Sequence, residues 1–140
     1  MNFNLNNYLG TWYEIARIKN DYEIYLKNVK TEYTLNDDGT IKVVNSGYFG
    51  NEYKESIGIA NKTDDDMILK ISFDSINFND YKILYIDENY QYALVGGNEP
   101  HYLWILSRTE KLEEKNLVQL LDLAKEKNYN IGEVILVHHN

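Results

Sequence analysis

The side chains able to move a proton or hold a metal are few in this chain and lie far apart along it. There is no cysteine, which leaves no thiolate nucleophile, zinc–thiolate centre, disulfide or lipidated cysteine within these residues. Of the three histidines, His101 follows Pro100 in a turn-forming stretch. His138 and His139 are neighbours, and adjacent residues on a strand point to opposite faces. No carboxylate is next to any of them in sequence, and the chain has neither a glycine-rich phosphate loop nor a nucleophile elbow. Thr63-Asp64-Asp65-Asp66 gathers carboxylates but lacks the loop glycine and distal glutamate of a calcium site, so it reads as a hairpin turn. No metal or cofactor is expected. The one odd acid is Glu14, which plain alternation places on the same face as Trp12. It is either a hydrogen-bonded member of the packing there or an acid inside a cavity. Thirteen tyrosines offer apolar area together with hydroxyls, a combination suited to meeting a ligand or a water.

The elements that must position these groups are mostly strands. Leu5 to Tyr8 form a short plug before a first strand over Gly10 to Lys19, with Trp12, Glu14, Ala16 and Ile18 expected on one face and Tyr13 and Ile15 on the other. Both faces carry apolar residues, so something must cover the outside. Asn20 to Asn28 is a connection holding Tyr22, Ile24, Tyr25 and Leu26; an aromatic loop either anchors itself on the rim or acts as a lid. Val29, Thr31, Tyr33 and Leu35 alternate with polar residues, and Asn36-Asp37-Asp38-Gly39 is a hairpin signal. The return strand over Thr40 to Tyr48 faces Ile41 and Val43 inward. In the next strand, Tyr53 to Asn61, Ser56, Gly58 and Ala60 share a face. Small residues there either leave room inside or, at the glycine, mark a bend. Leu69, Ile71 and Phe73, then Tyr81, Ile83 and Tyr85, alternate on two strands joined by Asp74 to Asp80. Strands over Tyr90 to Gly96 and His101 to Arg108 follow, the latter with Tyr102, Trp104, Leu106 and Arg108 on one face.

Eight short strands joined by turns predict an all-β, up-and-down antiparallel barrel. Only then does the period become helical. Leu117, Leu120, Leu121 and Ala124 form a stripe over Glu113 to Asn128, which is the expected outer cover for Tyr13 and Ile15. A last strand is expected over Ile131 to Val137. Trp12 and Arg108 are read as a couple closing one end, because a guanidinium stacks on an indole and keeps its charge when partly buried.

Gly10-Thr11-Trp12 resembles the glycine-x-tryptophan signature of the lipocalins, and Arg108 sits where their late arginine closes the barrel floor. Asp87-Glu88-Asn89-Tyr90 resembles the turn between two later strands of that fold. Gly10 to Arg17, Tyr90 to Val95 and Tyr102 to Thr109 are similar to the bacterial lipocalin lipoprotein group, which has apolipoprotein D as an animal relative. The resemblance covers essentially the whole chain as one lipocalin domain, residues 1–140. It implies a barrel with a ninth strand beside the first, and it favours reading the aromatic loop as a lid folded across the mouth of a cavity. It also implies a link at Asp74 to Asp80 shorter than in the bacterial relatives.

The expected function is carriage of a small hydrophobic ligand, such as a fatty acid, lysophospholipid or similar amphiphile, with no chemistry. The expected lining is Tyr33, Val43, Ser56, Gly58, Ala60, Leu69, Ile71, Phe73, Tyr81, Ile83, Tyr102 and Trp104, with Tyr22, Ile24, Tyr25 and Leu26 as the lid and Gly10, Trp12 and Arg108 as structural residues. Alternatives are a tetrapyrrole-binding lipocalin, an isomerase or hydratase using Glu14 and a cavity tyrosine, and a filled barrel serving as an interaction surface. A net charge of -8 with dispersed lysines argues against nucleic acid and anionic bilayers as partners. No run approaches the roughly 18 apolar residues of a membrane span. The chain is expected to be a monomer or weak homodimer. Without a basic, apolar leader it reads as cytoplasmic as written, or as periplasmic or extracytoplasmic if a leader has been removed.

Overall fold

In the computed structural model, residues 3–18 and 26–139 are described. After a single helical turn, α1 (Leu5–Tyr8), the chain runs through β1 (Gly10–Ile18), β2 (Lys27–Leu35), β3 (Ile41–Phe49), β4 (Glu52–Lys62), β5 (Ile68–Ser72), β6 (Asn79–Ile86), β7 (Tyr92–Gly96) and β8 (Leu103–Ser107). Neighbours in sequence pair antiparallel from β2 to β8, then β8 pairs with β1 and β1 with β2, which closes the barrel. The helix α2 (Glu114–Glu126) follows, and a short 3-10 turn over Ile131–Glu133 leads to β9 (Val134–Leu136). The last strand is thus shorter than the expected Ile131 to Val137, its first residues having coiled instead.

The closure is uneven along β1. Its first half, Gly10 to Tyr13, pairs with β2, whereas Ala16 to Ile18 pair with β9. The tail therefore wedges between β1 and β2: Val137 N–H donates to the Ile15 carbonyl at 2.9 Å and Asn28 N–H to the His138 carbonyl at 2.8 Å. The strands part on this side at the end where Lys27 begins β2.

A register shift between Glu14 and Ala16 changes which residues face inward. Extra residues in one strand of a pair reverse the alternation beyond them. Ile15, Ala16 and Ile18 all pack outward, in a cluster with Leu94, Leu103, Ile105, Leu120 and Ala124 under α2. The expectation that Ala16 and Ile18 share the face of Trp12 is thereby corrected. Tyr13 is corrected too, since its ring meets His139 of the tail edge-on at 5.9 Å, while Ile15 does lie under the helix as expected.

Inside the barrel, the closed end is packed by Tyr8, Trp12, Ile41, Ala60, Leu69, Ile83, Ile86, Tyr90 and Ala93. The Trp12–Arg108 couple is present, with the guanidinium carbon 3.9 Å from the indole centroid. The guanidinium also spends its donors on backbone: Nε to the Tyr90 carbonyl at 3.1 Å, Nη1 to Thr11 at 2.9 Å, and Nη2 to Asn7 at 2.8 Å and Tyr8 at 3.2 Å. One side chain thus ties the plug, the start of β1 and the Asp87–Tyr90 turn together. Gly10 has φ +102°, and an added Cβ would stand 3.4 Å from Arg108 Nη1, so a glycine is what lets the chain enter the first strand beside that group.

Candidate functional site

Above the packed end, the barrel holds an open cavity of about 560 Å³. Seven of the expected lining residues form its wall: Tyr33, Val43, Ile71, Phe73, Tyr81, Tyr102 and Trp104. Tyr102 and Trp104 stack almost parallel, with centroids 6.4 Å apart. They sit two apart on the last barrel strand and its approach, which is why alternation places both rings on one side.

The other five expected lining residues lie outside this wall. Ala60, Leu69 and Ile83 belong to the packed end. Gly58 leaves no free volume, since a Cβ there would come within 2.6 Å of the Ser72 carbonyl and 2.7 Å of the Phe73 ring. The glycine lets the Phe73 ring come close to β4, and Ser56, opposite Asn45 in the ladder, is not part of the wall. Among the expected lid residues, Tyr22, Ile24 and Tyr25 lie outside the described residues, and Leu26 is half-buried at the start of β2.

Several wall residues were not anticipated. Thr31 and Leu106 lie on the inward faces already recognised in their strands, with Val95 beside them from β7, and Asn45 accepts the Thr31 hydroxyl at 2.6 Å. The mouth is built from strand ends and links: Ser72 closing β5, Asp74 and Asn77 on the link, and Asn79 and Asp80 opening β6 on one side, with Gly97, Asn98 and Glu99 on the other. Asp74 knots its link by accepting from the Ile76 and Asn77 amides at 2.8 and 2.7 Å and from the Ser72 hydroxyl at 2.9 Å. Those hydrogen bonds, the Asn77 amide first, hold its carboxyl below the usual carboxylate range. Asp80 pairs with Lys70, and Glu99 lies 3.1 Å from His101.

Two features set the polarity of the interior. Glu14 lines the cavity and is 3.2 Å from Arg17 Nη1, both side chains being almost fully buried. Residues three apart on a regular strand point to opposite faces; the shift after Glu14 brings Arg17 round to the same side. Arg17 was invisible to alternation, although its being one of two arginines in the chain was a signal. Deeper in, the Tyr81 hydroxyl meets those of Tyr8 at 2.5 Å and Tyr33 at 2.7 Å. Burial, the largest cause for each, pushes all three phenols above their ordinary value. They are therefore neutral hydrogen-bonding groups across the physiological range.

The molecule is thus a closed eight-stranded antiparallel barrel, floored by a tryptophan–arginine couple and hollow at the other end. The profile of the lipocalin-like domain matches residues 3–139. The chain belongs to the lipocalin family. This lipocalin is 40% identical over 140 residues to the outer membrane lipoprotein Blc of Vibrio cholerae, covering 96% of this chain and 82% of that protein. It is 36% identical to Blc of Escherichia coli, over 97% of this chain and 79% of that protein. Apolipoprotein D of Cavia porcellus is 27% identical over 145 residues, with 96% and 76% of the two chains covered. Among solved structures, lobster apocrustacyanin A1 superposes with a TM-score of 0.78 at 21% identity, over 98% of this chain and 80% of that one, a likeness of fold. Among the described residues, no helix is long and apolar enough to cross a membrane.

Proposed function

We propose that this lipocalin binds and carries a small amphiphile, of the fatty acid or lysophospholipid kind, in the barrel cavity without transforming it. The observation that carries the reading is the hollow itself: about 560 Å³, within the range of small-molecule sites, in a barrel whose other half is tightly filled. Its aromatic wall of Tyr33, Phe73, Tyr81, Tyr102 and Trp104 supplies apolar area. Each methylene buried contributes about 0.8 kcal/mol, so an alkyl chain needs no covalent step to be held. The buried carboxylate that could serve as a proton carrier, Glu14, is engaged with Arg17.

Trp104 reports on occupancy because its indole is part of the wall. Titration with fatty acids and lysophospholipids is expected to change its fluorescence saturably, and the signal is expected to vanish in Trp104→Phe while Trp12 remains. No saturable change with any single-chain amphiphile overturns the carrier reading.

A further inference from the structure

The inner end of the cavity holds an unusual hydrogen-bonding sum. Three phenols, Tyr8, Tyr81 and Tyr33, carry three O–H protons, and the two bonds at Tyr81 use two of them. Whichever way the chain is oriented, one O–H is left over, and no other hydrogen bond to these three hydroxyls is found among the described residues. On the Tyr8 side the neighbours are rings: Phe3 at 5.8 Å, Trp12 at 5.1 Å and Tyr33 at 5.7 Å between centroids. Tyr33 and Tyr81, by contrast, face the cavity. The orientation Tyr8 to Tyr81 to Tyr33 delivers the spare proton where a ligand can accept it. A buried donor is driven to find an acceptor, because leaving it unmet costs its full desolvation.

The charge of the wall decides which acceptor. Glu14, Asp74, Asp80 and Glu99 line the cavity, and among the described lining residues there is no lysine or arginine. Among the described residues, ion pairs tie Arg17 to Glu14 and Lys70 to Asp80. The charge of Glu14 reaches Tyr33, being one of the influences that disfavour ionisation of its phenol. A ligand carboxylate resting on Tyr33 would feel the same repulsion in a medium that screens it poorly. An uncharged oxygen would not.

We infer that the tyrosine end of the cavity is a donor site for an uncharged oxygen, the hydroxyl or carbonyl of a neutral single-chain lipid, which enters polar end first and leaves its tail against Phe73, Tyr102 and Trp104. This rests on the carrier reading and narrows it: among amphiphiles, the uncharged head is selected over the carboxylate, and a fatty acid is taken best in its protonated form.

The test titrates the full chain with dodecanol and with dodecanoate at a pH of about 8, where the acid is ionised, following Trp104 fluorescence. Dodecanol is expected to bind at least about tenfold more tightly, and to lose about tenfold, the size of one hydrogen bond, in Tyr33→Phe, but less than about threefold in Tyr81→Phe, which keeps the Tyr33 donor. Glu14→Gln keeps the tyrosines and is expected to raise dodecanoate affinity about tenfold while changing that for dodecanol less than about threefold. Dodecanoate binding as tightly as dodecanol to the wild type, or dodecanol affinity unchanged in Tyr33→Phe, overturns the inference and leaves the carrier reading standing. Binding of neither amphiphile overturns the inference, and failure of lysophospholipids as well overturns the carrier reading with it.

Discussion

Arg108 shows how much one side chain settles at the closed end. Its guanidinium covers the Trp12 indole and reaches four backbone carbonyls, work that a lysine ammonium, a point donor without the planar fork, cannot repeat. Arg108→Lys is expected to lower unfolding stability by about 2 kcal/mol through lost cation–π and hydrogen-bond contributions, read as an earlier urea midpoint at unchanged slope. At the same scale, the buried phenols make stability depend on alkaline pH. Tyr8, Tyr33 and Tyr81 have raised pKa values in the folded chain, so the unfolded chain loses these protons first as pH rises. Their contribution is intact below about pH 10, the unfolded value, and is lost progressively above it, at up to about 1.4 kcal/mol per pH unit for each phenol. Urea unfolding at successive alkaline pH values checks this, and Tyr33→Phe should flatten the dependence.

Between residue and barrel stand the strands, whose irregularities decide what the cavity contains. Alternation is legible in sequence wherever a strand is regular: Tyr33, Val43, Ile71 and Trp104 were all placed on the inward face and all line the wall. It fails where pairing slips. The shift after Glu14 depends on what β8 offers across the ladder, so no local pattern announces that Arg17 turns inward and Ala16 outward. Gly58 illustrates a second limit, because a small residue reads as spare room when its space belongs to a neighbour's ring. A methyl there collides with the Ser72 carbonyl and Phe73; Gly58→Ala is expected to cost about 1–3 kcal/mol by overpacking and to weaken amphiphile binding by displacing Phe73, measured by denaturation and Trp104 titration. The polar mouth was hidden for another reason: Asp74, Asn77, Asn98 and Glu99 sit on links, which carry no period to read. The helix, by contrast, was plain from its stripe. Leu120, wholly buried beneath it, should cost about 2–5 kcal/mol when cut to alanine, with hydrogen exchange in α2 accelerating most.

Taken whole, the molecule is a barrel filled at one end and hollow at the other, and stability and function draw on different halves. The packed end, with Trp12, Ile41, Leu69 and Ile83, holds the closed sheet without a ligand; the outer part of the cavity wall adds less, because Phe73 and Tyr102 are exposed there and Ile71 is only half-buried. A bound amphiphile covers that wall only in the folded chain, so it must stabilise that state by mass action, by about 2.7 kcal/mol at a free concentration 100 times its dissociation constant. Ile71 is half-buried in the wall on β5, where a larger side chain has the hollow to grow into. Ile71→Trp is therefore expected to leave the ligand-free urea midpoint within about 1 kcal/mol of the wild type, since the added ring meets space and not packed atoms, while abolishing the ligand-dependent gain. Denaturation of both proteins with and without amphiphile separates the two halves. If the variant keeps the full gain, the ligand does not sit where the wall places it. If the variant is destabilised by as much as a core overpacking, the hollow is already committed to the fold.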